Sequence, residues 1–215
     1  MNAVVPAPRR RWLKRGLLVV IAAWLVLLVA LMFWWSGEPD PFDPVARAQD
    51  EAQSRQRPLV EGYVTVATLR TLASTLLDKR GGYLSNDIAP PGVFMDNMPN
   101  WEFGVLVQVR DLARALRNDF SRSQTQSTED PDLQEADPLF HYSSDRWAFV
   151  STESRYRQGV RRLDAYLERL SDGDAYNAQF YARADNLADW LAVVEKRLGS
   201  LSQRLSASVG RVQVD

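Results

Sequence analysis

The chain has 215 residues, with 26 Lys and Arg against 27 Asp and Glu, a formal net charge of −1, and no cysteine. The missing cysteine excludes disulfides, thiolate metal sites and cysteine nucleophiles, and suits an oxidising compartment. The charge is unevenly placed: Arg9, Arg10, Arg11, Lys14 and Arg15 precede residue 17, whereas every acidic residue follows residue 37, so the larger part is acidic and nucleic acid is disfavoured as a partner.

Residues 17–35 read LLVVIAAWLVLLVALMFWW, without a charge, a proline or a glycine. At about 1.5 Å per residue such a helix reaches roughly 28 Å, the hydrocarbon thickness of a bilayer. Leu17, Trp24, Leu28, Trp34 and Trp35 mark it as an anchor, with Trp34 and Trp35 suited to the outer interface. The basic residues before it place 1–16 in the cytoplasm and the rest outside. A cleaved signal peptide is the rival reading. The apolar run is too long for a usual h-region, and Met32 to Gly37 offers no small-x-small cleavage site.

Three prolines, Pro39, Pro41 and Pro44, make a stiff spacer within a 36–58 linker. Residues 46–57 fit either a helix lying on the domain or a tether. Residues 64–79 predict a helix with Leu69, Leu72 and Leu76 on one stripe, ending at Lys79-Arg80 and Gly81-Gly82. A loop is expected over 83–100. A second helix should begin near Asn100 or Trp101, with Asn100 as N-cap and Glu102 at its positive end, and run to about Ser121.

The polar, acidic stretch 121–138 reads as a long loop. Alternating aromatics on either side of Ser143 to Arg146 (Phe140 and Tyr142, then Trp147 and Phe149) predict a small β-hairpin. A third helix spans 153–170, capped by Ser151 or Thr152 and ended by Gly173. The fourth and longest runs from about 175 to 208. On it Phe180, Ala184, Leu187, Leu191, Val194, Leu198, Leu201 and Leu205 alternate by four and three, a heptad pattern that pairs with another helix. That helix lies in the domain, in a second copy, or in another membrane protein.

Candidate chemistry is sparse. The single histidine, His141, has Ser143, Ser144 and Asp145 as neighbours, but adjacent residues on a turn do not make a catalytic relay. Asp87, Asp96 and Glu102 lie in or just after the 82–102 loop. Paired carboxylates in a cleft would serve glycan hydrolysis or bind a divalent ion, whereas caps and solvated turns account for all three without function. Glu129, Asp130 and Asp132 resemble part of a calcium loop without its glycine and distal glutamate. No spacing calls for a cofactor or a metal.

From residue 62 onward, the segments 76–79, 81–87, 96–111, 123–130, 178–187 and 197–210 resemble a bacterial family, domain of unknown function 2333. The resemblance implies an N-terminal single span, a mostly helical exported part and a Gram-negative envelope; it implies no activity. The expectation is a mainly all-α protein: a cytoplasmic tail (1–16), a transmembrane helix (17–35), the linker, a periplasmic bundle of about four helices with one β-hairpin (59–210), and a tail (211–215). Its expected role is a non-catalytic inner-membrane scaffold that engages envelope proteins or itself through Leu187, Leu191, Val194, Leu198, Leu201 and Leu205. The alternative is an envelope hydrolase or glycan-binding domain using the 82–102 carboxylates.

Overall fold

The computed structural model describes residues 9–123, 128–174 and 176–212. Residues 1–8 of the basic tail, 124–127 of the polar stretch, Ala175 and 213–215 of the C-terminal tail lie outside the described residues. Seven α-helices follow in order: α1 (Arg9–Trp35), α2 (Pro44–Ser54), α3 (Tyr63–Asp78), α4 (Asn97–Ala115), α5 (Pro131–Phe140), α6 (Thr152–Leu170) and α7 (Ala184–Val212). Among the described residues there is no strand, and their regular structure is all helical.

Within α1, Trp12–Trp35 is long and apolar enough to cross a membrane, and none of its residues is fully buried inside the protein. The segment between the tether and helix readings is α2. Asp43 caps it by accepting from Val45 N at 2.8 Å and Ala46 N at 3.0 Å, with Pro44 in the first turn. Ala48 and Ala52 carry it into the core, so it is a packed helix.

Helix α3 is central, flanked by α2, α4 and α6. Its buried residues Tyr63, Val66, Leu69 and Leu76 meet Leu106, Val109 and Leu116 of the α4 stretch and Tyr156, Leu163 and Tyr166 of α6. Gly81 and Gly82, both at positive φ, turn the chain away after α3 as expected. Ser151 caps α6 through Ser154 N at 3.3 Å. The chain leaves α6 at Ser171, two residues before Gly173, which also has positive φ.

Several boundaries differ from expectation. Helix α4 begins at Asn97, not Asn100, with Asp96 in the cap position; it ends in a π turn, Leu116–Phe120. Residues 131–140 form α5, where a loop to 138 and then the start of a hairpin were expected. Asp130 accepts from Asp132 N at 3.0 Å and Leu133 N at 3.3 Å, Pro131 opens the first turn, and Pro138 falls in the last turn, where it breaks little. The β-hairpin over 140–150 does not form. Phe140 is the last residue of α5, and the segment beyond it is organised by one buried hydroxyl: Thr152 Oγ1 donates to Ser143 O at 2.8 Å and accepts from Arg146 N at 3.1 Å. Those backbone groups are therefore occupied by a side chain, not by a facing strand. Helix α7 starts at Ala184, nine residues later than the expected start near 175.

Candidate functional site

The three carboxylates singled out in the sequence do not play equivalent parts. Glu102 lies on the buried face of α4 with no exposure, not at a solvated helix end. Its Oε1 accepts from Leu84 N at 2.8 Å, and its Oε2 accepts from Ser85 N at 2.8 Å and Ser85 Oγ at 2.5 Å. Lys79 Nζ stands 2.5 Å from Oε1, with its side chain only 2% exposed, and also donates to Gly82 O. Lys79 was expected to serve the negative end of α3; instead it neutralises a buried charge. Every contact of Glu102 is a structural one that fastens the loop after α3 onto α4.

Asp87 is exposed on that loop, and its carboxyl sits above the ordinary aspartate value. Partial burial is the main cause and the charge of Glu102 the next, with Glu153 adding to them and Lys79 opposing. Asp96 is exposed at the α4 cap position, without a side-chain bond to the first turn.

The other polar candidates are held by arginines. Arg169 Nη2 reaches Asp130 Oδ1 at 2.7 Å and Asp132 Oδ2 at 2.6 Å, and Arg117 pairs with Glu129 at 2.8 Å. The calcium-like fragment is thus a set of ion pairs joining α5 to α6 and to the end of α4. Among the described residues no group of three or more His, Cys, Asp or Glu is placed to hold a metal. His141 Nδ1 lies 3.0 Å from Asp137 Oδ1, and its Nε2 lies 2.7 Å from Arg114 Nη2. Asp145 accepts from Ser143 instead of orienting the imidazole.

The heptad stripe has a different character. Helix α7 meets the bundle through Trp190, which packs against the core, and through Arg197, whose Nη2 donates to Asp111 Oδ1 of α4 at 2.8 Å. Asn186 Nδ2 donates to Asp119 O at 2.8 Å. These two contacts make α7 antiparallel to α4. Between them runs a groove of about 550 Å³, with Phe103 and Val107 on one wall and Val193 and Leu201 on the other. Apart from Leu201, which belongs to both, the row facing α4 lies beside the heptad positions. Leu191, Leu198 and Leu205 remain 50%, 61% and 68% exposed, Leu187 and Leu201 are also exposed, and Val194 is half-buried. Periodicity marks this face as apolar but carries no information on what covers it; the row used within the chain is the neighbouring one.

The family described as "Uncharacterized protein conserved in bacteria (DUF2333)" matches residues 8–215, almost the whole chain. The chain belongs to this family. No curated protein and no solved structure matches it. In this DUF2333 chain the residues expected to anchor α1 differ in their surroundings. Leu17, Trp24 and Trp34 are exposed on α1 and Leu28 is half-buried, whereas Trp35 turns toward the bundle and packs with Met32 against Leu84, Met95 and Met98.

Proposed function

We propose that this DUF2333 protein is a non-catalytic scaffold of the bacterial inner membrane. Its N-terminus lies in the cytoplasm, α1 spans the bilayer, and the acidic helical domain in the periplasm presents α7 to a helical partner. The partner is another envelope protein or a second copy of the chain. One observation carries this reading: a long apolar stripe lies uncovered on a helix whose adjacent row already makes the contacts within the chain. Continuous exposed apolar surface of this kind is characteristic of an interaction site, and a four-three spacing suits a helix as the occupant. The arrest of Glu102 in a buried structural role supports the scaffold over a carboxylate hydrolase. The basic residues before α1, with no acidic residue beside them, support the orientation.

Leu191→Asp combined with Leu198→Asp is expected to leave the helical content and melting of the domain unchanged, because both side chains are half exposed or more. The same variant should lose the crosslinked partner recovered from cells; retention of that partner would remove the stripe from the proposal. A reporter fused after Ser208 should be active only in the periplasm, and cytoplasmic activity would reverse the topology.

A further inference from the structure

The domain is not suspended from α1 by the proline spacer alone. It is seated on the last turn of that helix. A Cβ at Gly81 would lie 2.7 Å from Trp35 Cδ2, so the indole rests directly on the backbone of the turn after α3. Met32 and Trp35 pack together into the cluster of Leu84, Met95 and Met98. Asn97 Nδ2 donates to Ser36 O at 3.4 Å, fixing the start of α4 to the chain just beyond α1. These contacts join the span to the bundle at the end where α3 finishes and α4 begins.

Depth follows from helix geometry. Met32 precedes Trp35 by three residues, so it lies about 4.5 Å deeper along α1. Side chains that pack against Met32 are therefore level with the final turn of the span, at the edge of the hydrocarbon. The same loop carries large apolar residues that its own fold leaves bare: Ile88, Val93 and Phe94, the last 66% exposed, with Phe103 exposed in the second turn of α4. Phe94 directly precedes Met95 of the cluster. The segment is held in shape by the Glu102 bonds to Leu84 N and Ser85 N, and by Met95 N donating to Gly92 O at 3.0 Å. Arg80, also exposed, stands beside Gly37 at the end of α1, where a cation meets the lipid headgroups.

We propose that the 84–95 loop forms a foot at the outer interface of the same bilayer, with Ile88, Val93 and Phe94 reaching its lipids while Asp87 stays at headgroup level. The occupant of this apolar surface is the lipid itself, because Phe94 adjoins Met95, which packs with Met32 and Trp35 at the end of the span. The inference rests on α1 crossing the membrane. The foot would fix the tilt and rotation of the domain, and α7, running antiparallel to α4, would return toward the membrane. The apolar stripe would then be offered to partners within the layer next to the bilayer, not to those further out.

The absence of cysteine allows single-site labelling of the full chain. The variants Phe94→Cys, Ile88→Cys, Leu28→Cys and Tyr176→Cys are each labelled with an environment-sensitive fluorophore and reconstituted singly into phosphatidylethanolamine/phosphatidylglycerol nanodiscs. Tyr176, exposed near the opposite end of the bundle, reports water. Labels at 94 and 88 are expected to show blue-shifted emission and quenching by spin-labelled lipid, as the label at 28 does, while the label at 176 shows neither. If position 28 is quenched and positions 94 and 88 match 176, the foot is overturned and the surface belongs to a protein partner. If position 28 is not quenched, the span fails and the foot with it.

Discussion

Replacing Glu102 with leucine is expected to destabilise the domain by about 3–5 kcal/mol, the usual cost of removing one partner from a buried ion pair. Lys79 would be left without its counter-charge in a site where its side chain is 2% exposed, with the Gly82 carbonyl as its remaining partner. The amides of Leu84 and Ser85 would lose the acceptors they now have at 2.8 Å. At roughly 2–4 °C per kcal/mol for a domain of this size, melting should fall by roughly 6–20 °C. Glu102→Gln should fall between the variant and the natural protein, because an amide oxygen still accepts from the backbone but no longer neutralises the lysine. Circular dichroism of the full chain in detergent, followed against temperature, measures both. If Glu102→Leu melts with the natural protein, the pair does not hold the loop, and the rigidity attributed to the foot goes with it.

Gly62→Ala should cost about 2–5 kcal/mol, from two separate causes. The residue before α3 has φ of +81°, where a side chain costs about 1–2 kcal/mol. A Cβ there would also lie 2.2 Å from Phe180 Cγ, so the ring must leave, an overpacking cost of about 1–3 kcal/mol. Phe180 stacks on Phe120 with centroids 5.1 Å apart. Next to that stack, Tyr181 N donates to Phe120 O at 2.6 Å. Displacing the ring therefore loosens the segment that leads into α7. The expected result is a lower melting temperature together with faster amide exchange over 178–190. Unchanged exchange there would show that Phe180 does not seat α7.

Local physics explains which elements could be anticipated. Helices α3 and α6 carry three- and four-residue apolar steps with a stop or a cap at one end, and both appear within a residue or two of the expected bounds. Helix α5 had a local signal that composition masked: Asp130 followed by Pro131 and Asp132 is a cap, a first-turn proline and a first-turn acid. Beyond it, Leu133, Ala136 and Phe140 give the buried face. The aromatic alternation around 143–146 had the period of a strand, but strand pairing needs free backbone groups, and Thr152 takes them. For the candidate site, Asp87 and Asp96 are exposed near turns, as their residue type favours, whereas the partners of Glu102 are seventeen to twenty-three residues earlier and leave no local trace.

The sequence by itself determined one helix long and apolar enough to cross a membrane, an acidic remainder, the absence of thiol chemistry and the family. All of these are properties of composition or of unbroken runs. Only the tertiary structure decided which apolar faces are spent within the chain. It covers the α3 stripe with α2, α4 and α6, buries Glu102 against Lys79, seats Trp35 on Gly81, and turns the neighbouring row of α7 toward α4 so that its leucines stay bare. The physical reason is that a helical period specifies that a face is apolar, while the identity of what covers it depends on contacts between residues far apart along the chain.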